Sequence, residues 1–407
     1  MKVLVADLFP DSAVDRLREA GLECHYDHTL KGAELQAVLE EERPEVLLVK
    51  TTRVTADIIT AACALELVVR AGTGTEGIDV AEASRQGVKV AHCPGKSAVA
   101  VAELVMGLIC AADRRLPESI ELLRAGKWRK EQSDGLFSKT LGIIGLGDIG
   151  QEVAQRARAF GLRLLAFDPQ LTKSQIEALG CHYQDSLLSL VSEADVLTFH
   201  VPTSRQTKQL VTAELLALCK PNALIINTSH WDLVNEEELL AALDARPEMR
   251  YACDCYRYEP TESVGEFRSR LTGHSQVYGT CHIGSVTKQA DTASIEEALR
   301  IILKYEQTRE VDSRNWANRA IKTPANFTVS IRGHNDPGVL GFAVHALADA
   351  GANVQEVSTA LFCTSLVSHV LLDLFCPSAA QLDTALLEIS THPAVTQAIC
   401  FPKLSAF

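Results

Sequence analysis

The sequence has no CxxC motif and no closely spaced Cys/His pairs, although it contains 12 cysteines among 407 residues. Scattered cysteines favour a reducing compartment and packing roles, so we expect a cytoplasmic protein without a metal site. The two closest cysteines, Cys253 and Cys255, alternate along a strand-like run, which turns their side chains to opposite faces.

No segment is typical of a membrane span or a secretory leader. The longest apolar run, at 97–112, contains Glu103 and is shorter than a span requires, and the first residues turn acidic at Asp7. Basic charge is in deficit, since 39 Lys and Arg against 52 Asp and Glu give a net charge of −13. We therefore expect neither a membrane nor nucleic acid as the partner, because binding nucleic acid requires clustered basic charge. A small anion needs only a few local cations.

Two series of short β-branched runs alternate with helical patterns. The first series has strands at 2–7, 46–50, 66–71 and 88–93, and the second has strands at 140–145, 162–168, 195–201, 223–229, 250–256 and 276–280. This alternation predicts parallel sheets covered by helices on both faces. The fold class is therefore α/β, with two Rossmann-like doubly wound domains. Further helices are predicted at 97–125 and 295–309.

The order of elements changes after the polar segment 311–324, which is predicted to be a linker. Strand, helix, two strands, helix and strand then follow, which is a ferredoxin-like βαββαβ unit. Pro337 is predicted at the first position of its first helix, and Gly351 at the end of that helix.

A glycine-rich loop at 145–150 (GLGDIG) follows a predicted strand and opens a helical pattern. Gly145 permits the tight turn, Gly147 lets a pyrophosphate approach the backbone, and Gly150 allows close packing of helix on strand. The helix N-terminus offers N–H groups and a positive dipole to the phosphates. Asp168 ends the next strand, where its carboxylate can accept both ribose hydroxyls and would repel a 2′-phosphate. The pattern predicts NAD rather than NADP; the alternative is a plain tight turn.

A second loop of the same spacing lies at 72–77 (GTGTEG), also after a predicted strand. Its helix is short and the next strand ends without an acidic group, so a second dinucleotide is not expected. The backbone N–H groups of such a loop can still hold a small anion. Arg70 precedes the loop and Lys50 ends the preceding strand, which predicts a carboxylate or phosphate pocket. For Arg70 the alternative is a solvated charge at a strand end.

Polar side chains follow three successive predicted strands of the second series: His230, Glu259 and His282. Ligands of open α/β sheets bind outside the carboxyl ends of the strands, so these residues are expected around one crevice, which the nicotinamide also enters. Oxidising an alcohol by hydride transfer requires a base, and histidine suits that role near neutral pH. His282 is the predicted base and Glu259 the carboxylate that orients it. The alternative is two loop residues that never touch.

The order of these motifs resembles the D-2-hydroxyacid dehydrogenase family, and within it the phosphoglycerate dehydrogenases. The resemblance covers roughly 40–310. It depends on the segments at 68–80, 126–128, 139–150, 167–169, 200–202, 226–229, 253–260 and 280–285. The segment at 332–354 resembles an ACT regulatory domain, and the arrangement of a short linker before it resembles the serine-inhibited members.

The resemblance implies an NAD-dependent dehydrogenase with His282 as the catalytic acid/base and Glu259 as its partner. It places the cofactor on the nucleotide loop and on residues that follow the strands: Gly145, Gly147, Asp148, Ile149, Gly150, Asp168, Thr228, Ser229, Asp254, Gly284 and Ser285. Asp254 is expected beside the nicotinamide amide. The substrate is expected on Lys50, Arg70, Gly72, Thr73 and Gly74.

The sequence departs from the family at the motif Asn-x-x-Arg-Gly, whose Arg clamps the carboxylate and carbonyl of the 2-oxo acid. His230 stands in the Arg position and Trp231 in the Gly position. Arg presents a rigid, charged fork, whereas His offers at most one donor per ring nitrogen and can be neutral. His230 is therefore a candidate catalytic residue whose protonation state is open, and the substrate is open with it.

The ACT-like segment departs as well. Asn335 and Asn353 match positions that hold serine in the relevant relatives, but the His expected two residues before Asn335 is Gly333. The resemblance implies an amino-acid effector on these two asparagines, with serine as one candidate.

We expect a substrate domain from 1–96 and 283–310, an NAD domain at 97–282 and an ACT-like domain at 325–407. The resemblance implies a homodimer or homotetramer.

The leading function is oxidation of D-3-phosphoglycerate to 3-phosphohydroxypyruvate, the first step of serine biosynthesis. One alternative is a dehydrogenase of another 2-hydroxy acid, because of His230 and Trp231. The other is a non-catalytic sensor of NAD(H) or an amino acid, similar to the C-terminal-binding proteins.

Overall fold

The computed structural model of the chain describes residues 1–75, 77–260, 264–319, 325–362 and 366–402. The chain forms two compact units, Met1–Asn318 and Arg319–Phe407. The first unit contains two parallel sheets and the second contains one antiparallel sheet. The predicted fold class is confirmed.

Five parallel strands form the first sheet. They are β1 Lys2–Val5, β2 Glu23–Tyr26, β3 Val46–Val49, β4 Leu67–Arg70 and β5 Lys89–Ala91, in the order β2-β1-β3-β4-β5. Their helices are α1 Asp11–Glu19, α2 Gly32–Glu42, α3 Ala56–Ala61 and α4 Val80–Arg85. β3 is buried throughout, which explains its continuous apolar run. β2 is absent from the sequence-based prediction because it is a partly exposed edge strand, and such a strand needs no apolar run.

Seven parallel strands form the second sheet. They are β6 Thr140–Ile144, β7 Arg163–Phe167, β8 His182–Tyr183, β9 Val196–Phe199, β10 Leu224–Asn227, β11 Arg250–Cys253 and β12 Val277–Gly279, in the order β12-β11-β10-β9-β6-β7-β8. The strand order reverses between β6 and β9, and a crevice forms at such a point.

The helices of this second sheet are α5 Ala98–Arg114, α6 Leu116–Arg124, α7 Asp148–Ala159, α8 Lys173–Ala178, α9 Leu187–Glu193, α10 Ala213–Leu218 and α11 Glu236–Ala245. A short 3₁₀ turn spans Trp231–Leu233. The single helix predicted at 97–125 is in fact two helices. The break occurs because Arg115 adopts a left-handed conformation with φ of 49°, and Pro117 lies in the first turn of the second helix.

The chain then returns to the first sheet through α12, Lys288–Thr308. This helix begins seven residues before its predicted start, because the side chain of Thr287 caps it by accepting the N–H of Ala290. Its apolar stripe, which includes Ile302, is buried among residues of β1 and β4.

The polar segment that follows, predicted to be a linker, also pairs with the first sheet, because Trp316 pairs with Ala91 of β5. The end of the predicted linker, 320–324, lies outside the described residues.

The second unit has the predicted βαββαβ order. Its elements are β13 Phe327–His334, α13 Val339–Asp349, β14 Asn353–Leu361, β15 Val367–Phe375, α14 Ala379–Thr391 and β16 Val395–Pro402. The strands lie in the order β14-β15-β13-β16, and every adjacent pair is antiparallel. The prediction for Pro337 is wrong, because the helix begins at Val339 and Gly338, with φ of 92°, occupies the cap position.

Among the described residues, no helix is long and apolar enough to cross a membrane. Within the same residues, no group of three or more His, Cys, Asp or Glu is placed to hold a metal ion. The cysteines that the structure describes are free thiols. The cytoplasmic location stays a prediction.

Candidate active site

A cleft of about 1130 Å³ opens at the carboxyl ends of strands from both sheets of the first unit. The segments after β3 and β4 line one side, those after β10, β11 and β12 line the other, and the start of α12 closes the end. The predicted residues on its wall are Lys50, Arg70, Gly72, Thr73, Gly74, Ile149, Thr228, Ser229, His230, Asp254, Glu259, His282, Gly284 and Ser285. The structure thus brings together residues more than 200 positions apart, although their roles stay predictions.

His282 and Glu259 are in contact on the wall of the cleft. Nδ1 of His282 lies 2.6 Å from Oε2 of Glu259, and the other carboxylate oxygen accepts the N–H of Tyr256 at the same distance. A carboxylate held in this way favours a proton on Nδ1 and leaves Nε2 as the acceptor. The side chain of His282 is 58% exposed, so the imidazole can reach a ligand in the cleft.

Asp254 holds the segment that carries His282. Its side chain is buried, and its two oxygens accept hydrogen bonds from the Thr280 hydroxyl at 2.6 Å, the Ile283 N–H at 2.8 Å and the Gly284 N–H at 2.7 Å. These bonds fix His282 at φ of 53°, a left-handed conformation that costs a non-glycine residue about 1–3 kcal/mol. The carboxylate therefore orients the imidazole through the backbone, in addition to its predicted place beside the nicotinamide.

His230 forms a second pair of the same kind in the same cleft. Its Nδ1 lies 2.8 Å from Oδ1 of Asp232, and the carboxylate is only 12% exposed. The Trp231 ring lies between this pair and Arg257, whose guanidinium carbon is 5.6 Å from the ring centroid. Sequence reasoning singled out His230 and Trp231 but missed Asp232, although an acidic residue two positions after a histidine was a readable signal.

Two other titratable groups on the wall are kept neutral. Burial raises the pKa of the Cys255 thiol and of the Tyr256 phenol well above their ordinary values. Burial therefore disfavours the anionic form of both groups.

Arg70 holds the loop after β4, whereas the buried carboxylate of Asp7 holds the segment after β3. Arg70 donates to the carbonyl of Gly74 at 2.6 Å and to that of Lys50 at 3.2 Å. Lys50 forms an ion pair with Asp291 at the start of α12. Asp7, which sequence reasoning did not select, accepts the Lys50 N–H at 2.7 Å and fixes the segment after β3. Glu76 of the predicted loop lies outside the described residues.

The glycine loop after β6 has the shape that a pyrophosphate requires. Gly145 has φ of 87°, and a Cβ there would lie 2.4 Å from the carbonyl oxygen of His200. A Cβ on Gly150 would lie 2.2 Å from the carbonyl oxygen of Gly145, so both positions require glycine. At Gly147 a Cβ would meet nothing within 4 Å, which leaves open space beside the N-terminus of α7. These residues fit a bound NAD.

Asp168 stands at the end of β7, beside this loop. Its Oδ2 accepts the N–H of Leu146 at 2.8 Å and its Oδ1 accepts that of Gln170 at 2.9 Å. Each oxygen keeps a second lone pair, so the carboxylate can still accept the ribose hydroxyls.

The carboxylate of Asp148, the first residue of α7, forms an ion pair that was not predicted from the sequence. Both of its oxygens lie 2.8 Å from Nη2 of Arg314. The pair lines a separate cavity of about 250 Å³ together with Lys96 and Glu297. The two residues are 166 positions apart, so no local pattern could have indicated their contact.

Asn335 and Asn353 lie at opposite ends of β15 in the second unit. The N–H of Asn335 donates to Leu366 just before β15, whereas Asn353 pairs with Phe375 at its end. Eight steps of an extended strand span roughly 26 Å, so one amino acid cannot contact both asparagines of a single copy. The effector role stays a prediction.

Comparison with known proteins places this geometry in a family. Residues 106–284 match the family described as "D-isomer specific 2-hydroxyacid dehydrogenase, NAD binding domain". This match confirms NAD as the cofactor, whereas the predicted domain bounds of 97–282 stay a prediction.

Individual relatives agree with this match. A D-3-phosphoglycerate dehydrogenase of Methanocaldococcus jannaschii is 35% identical over 76% of this chain, which spans 59% of that protein. A hydroxypyruvate reductase of Thermotoga maritima is 38% identical over 66% of this chain and 86% of its own length. The solved phosphoglycerate oxidoreductase of Vibrio cholerae is 29% identical, with a TM-score of 0.60 over 76% of this chain and 99% of its own. The chain spans 59% of the length of the curated D-3-phosphoglycerate dehydrogenase of Methanocaldococcus jannaschii and 49% of that of Bacillus subtilis.

Proposed function

Because the chain belongs to the D-isomer-specific 2-hydroxyacid dehydrogenase family, we propose that it oxidises a small anionic 2-hydroxy acid with NAD. D-3-phosphoglycerate, which would become 3-phosphohydroxypyruvate, is the leading substrate. The observation that carries this proposal is the contact between His282 and Glu259 in a cleft lined by both sheets.

The chemistry requires one proton acceptor and one hydride acceptor. NAD, when bound, accepts the hydride from the alcohol carbon. His282 takes the hydroxyl proton on Nε2, so the alcohol becomes a carbonyl. Glu259 accepts the hydrogen bond of Nδ1–H and stabilises the imidazolium that forms. Asp254 keeps the imidazole in place through the 280–284 backbone.

The substrate side of the cleft is cationic. Lys50, Arg53, Arg70 and Lys288 all lie on its wall, which favours an anionic ligand. We assign the substrate carboxylate to Arg70 and the backbone N–H groups of Thr73 and Gly74, because the N–H of Gly72 donates to the carbonyl of Arg70 at 2.8 Å. A second anionic group is assigned to the Lys50 side. Relatives named as D-3-phosphoglycerate dehydrogenases are 35% and 36% identical to this chain, which favours phosphoglycerate as the anionic ligand.

The test is steady-state formation of NADH with 3-phosphoglycerate and a panel of 2-hydroxy acids. We expect turnover with at least one anionic member, and loss of turnover in His282→Asn with unchanged NADH affinity. If NADH binds but no 2-hydroxy acid turns over at any pH, the proposal is wrong, and the sensor hypothesis gains support.

A second candidate is a dehydrogenase of a 2-hydroxy acid other than phosphoglycerate. It is favoured by His230 and Trp231, because they replace a permanent guanidinium by a titratable ring and add bulk beside the cleft. The same substrate panel separates the two candidates by their kcat/KM values.

We also propose a role for each domain of the chain. Residues 1–96 and 283–310 form the substrate domain, 97–282 the NAD domain, and the βαββαβ unit an ACT-like regulatory domain. If an amino acid binds at Asn335 and Asn353 together, two copies of the chain must supply them, because one copy holds them too far apart.

A homodimer is supported by the surface of α6. None of its residues is buried, and Leu116, Ile120 and Leu123 expose one apolar face. Trp128, in the segment that follows, is 81% exposed. Apolar faces of this kind are typical of protein interfaces, so we assign α6 to the contact between two copies. Ile120→Glu is expected to halve the mass measured by light scattering.

A further inference from the structure

The cleft contains two histidine–carboxylate pairs, and the proposed function uses only one. His282 pairs with Glu259, and His230 pairs with Asp232 at 2.8 Å. The carboxylate of Asp232 is nearly buried and also accepts a weaker hydrogen bond from the Thr203 hydroxyl at 3.3 Å. The ring nitrogen and the carboxylate oxygen are therefore close enough for a charge-assisted hydrogen bond.

The backbone holds His230 as firmly as the carboxylate does. Asn227 donates from its side-chain amide to the carbonyl of His230 at 2.9 Å, and its side-chain oxygen accepts the N–H of Ser229 at 3.1 Å. The carbonyl of Asp232 in turn accepts the N–H of Gln209 at 2.7 Å. The turn after β10 is therefore fixed, with the imidazole on the wall of the cleft and the carboxylate behind it.

We propose that Asp232 is a positioning residue that makes His230 a cation for the substrate. In the family motif this position holds a permanently charged Arg, whereas the imidazole of His230 can lose its charge. This inference depends on the proposed function. Oxidation then requires His282 unprotonated and His230 protonated at the same time. The value of kcat/KM should therefore fall both in acid and in alkali. Because the two histidines share one cleft, the two apparent pKa values of this profile belong to the pair and not to either histidine alone.

Other charged and titratable groups face this pair. Arg257, Lys208, Glu236 and Glu237 line the pocket on the Asp232 side together with Trp231. The cleft side is lined by Lys50, Arg53, Arg70, Lys288, Asp254, Cys255, Tyr256, Tyr258, Glu259, His282 and Asp291. Charges of both signs therefore surround the pair, and Asp232 is the carboxylate that contacts the His230 ring. Removing the charge of Asp232 should therefore have a large effect on the charge of the imidazole.

The test compares the pH profile of kcat/KM in the wild type and in Asp232→Asn, which keeps the size of the side chain. We expect the alkaline limb to move to lower pH and kcat/KM to fall roughly tenfold to a hundredfold above neutrality, the range for a charge-assisted hydrogen bond. NADH affinity should stay unchanged. Asp244→Asn, which breaks a surface pair with His274 at 3.3 Å, is the matched control and should change nothing.

A second variant separates the electrostatic role from a structural one. In His230→Arg the charge is permanent, so the alkaline limb assigned to His230 should disappear, and adding Asp232→Asn should no longer move the profile. If Asp232→Asn lowers kcat/KM equally in both backgrounds, or if His230→Arg keeps the wild-type alkaline limb, the inference is overturned.

Binding of oxalate in the presence of NADH distinguishes failure of this inference from failure of the proposed function. We expect calorimetry to show tighter oxalate binding at pH 6 than at pH 8.5 in the wild type, and a much smaller difference in Asp232→Asn. If this holds but no substrate turns over, only the proposed function fails. Equal pH dependence in the two proteins would contradict the role of Asp232.

Discussion

The two glycine-rich loops of the first unit have the same spacing but very different surroundings. In the loop at 145–150, added Cβ atoms on Gly145 and Gly150 would lie within 2.4 Å of backbone oxygens. In the loop at 72–77, a Cβ on Gly72 would meet only the end of the Arg70 side chain, at 3.4 Å. The first loop packs on a 12-residue helix, the second on one of six residues.

This difference shows that the motif alone does not determine the ligand. In the loop at 145–150, the backbone at Gly145 and Gly150 lies against other backbone atoms. Gly147 faces open space that a ligand can fill. The other loop is bonded to a cation, since Arg70 donates to the carbonyl of Gly74. A dinucleotide fits the first arrangement, and a small anion the second.

The largest effect is expected from Gly150→Ala. Its methyl group would lie 2.2 Å from a backbone oxygen that cannot move without opening the turn, so overpacking costs about 1–3 kcal/mol or more. We expect at least a hundredfold loss of NADH affinity by calorimetry, together with a lower Tm. Gly72→Ala is the matched control, with unchanged Tm. An unchanged NADH affinity in Gly150→Ala would mean that this loop does not hold the cofactor.

Asp168→Ala should have the next largest effect, again restricted to the loop at 145–150. It removes the acceptor for the ribose hydroxyls and leaves the N–H of Leu146 without its partner. We expect NADH to bind roughly ten to a hundred times more weakly, with less discrimination against NADPH. Glu177→Gln in α8 is the control, because that carboxylate forms a surface pair with Lys173 at 3.9 Å and lies outside the predicted cofactor site. Similar losses in both variants would contradict this assignment of the ribose.

Arg70→Gln tests the loop at 72–77 instead. We expect KM for 3-phosphoglycerate to rise about tenfold, because a charged donor to the carboxylate is lost, while the Kd for NADH stays the same. Arg85→Gln, on the exposed face of α4, should leave both constants unchanged. A rise in the NADH Kd would show that the two loops do not have separate ligands.

The last expected effect is on the free energy of unfolding in acid and not on ligand binding. Burial lowers the pKa of His200, whose carbonyl contacts Gly145, to about 3, and its Nδ1 is a buried atom without a partner. Between pH 6.5 and 3 the unfolded chain therefore binds a proton that the folded chain does not, so stability falls as the pH falls.

His200→Asn should remove this dependence. Urea unfolding at several pH values between 7.5 and 4.5 should show the variant losing less stability than the wild type, by up to ~1.4 kcal/mol per pH unit below 6.5. Parallel curves for the two proteins would show that His200 takes up its proton equally in both states.

Local features of the fold and the site were predictable because their causes are local. The apolar run of β3 reflects burial on both faces, Gly145 has a φ of 87°, and Gly150 is required by a backbone contact with Gly145, five residues before it. Edge strands β2 and β8 were missed because partial exposure removes the apolar signal. The break at Arg115 depends on a single backbone conformation, which no periodicity encodes.

The sequence by itself determined the α/β class and the nucleotide loop, and it singled out His282 and Glu259, whose roles stay predictions. Only the tertiary structure decided which charges meet: Arg314 with Asp148, Asp7 with the Lys50 segment, and Asp291 with Lys50. The physical reason is that glycine conformation and apolar periodicity act over a few residues. Ion pairs depend on the distance between side chains, which is set where the ends of separate strands and helices come together.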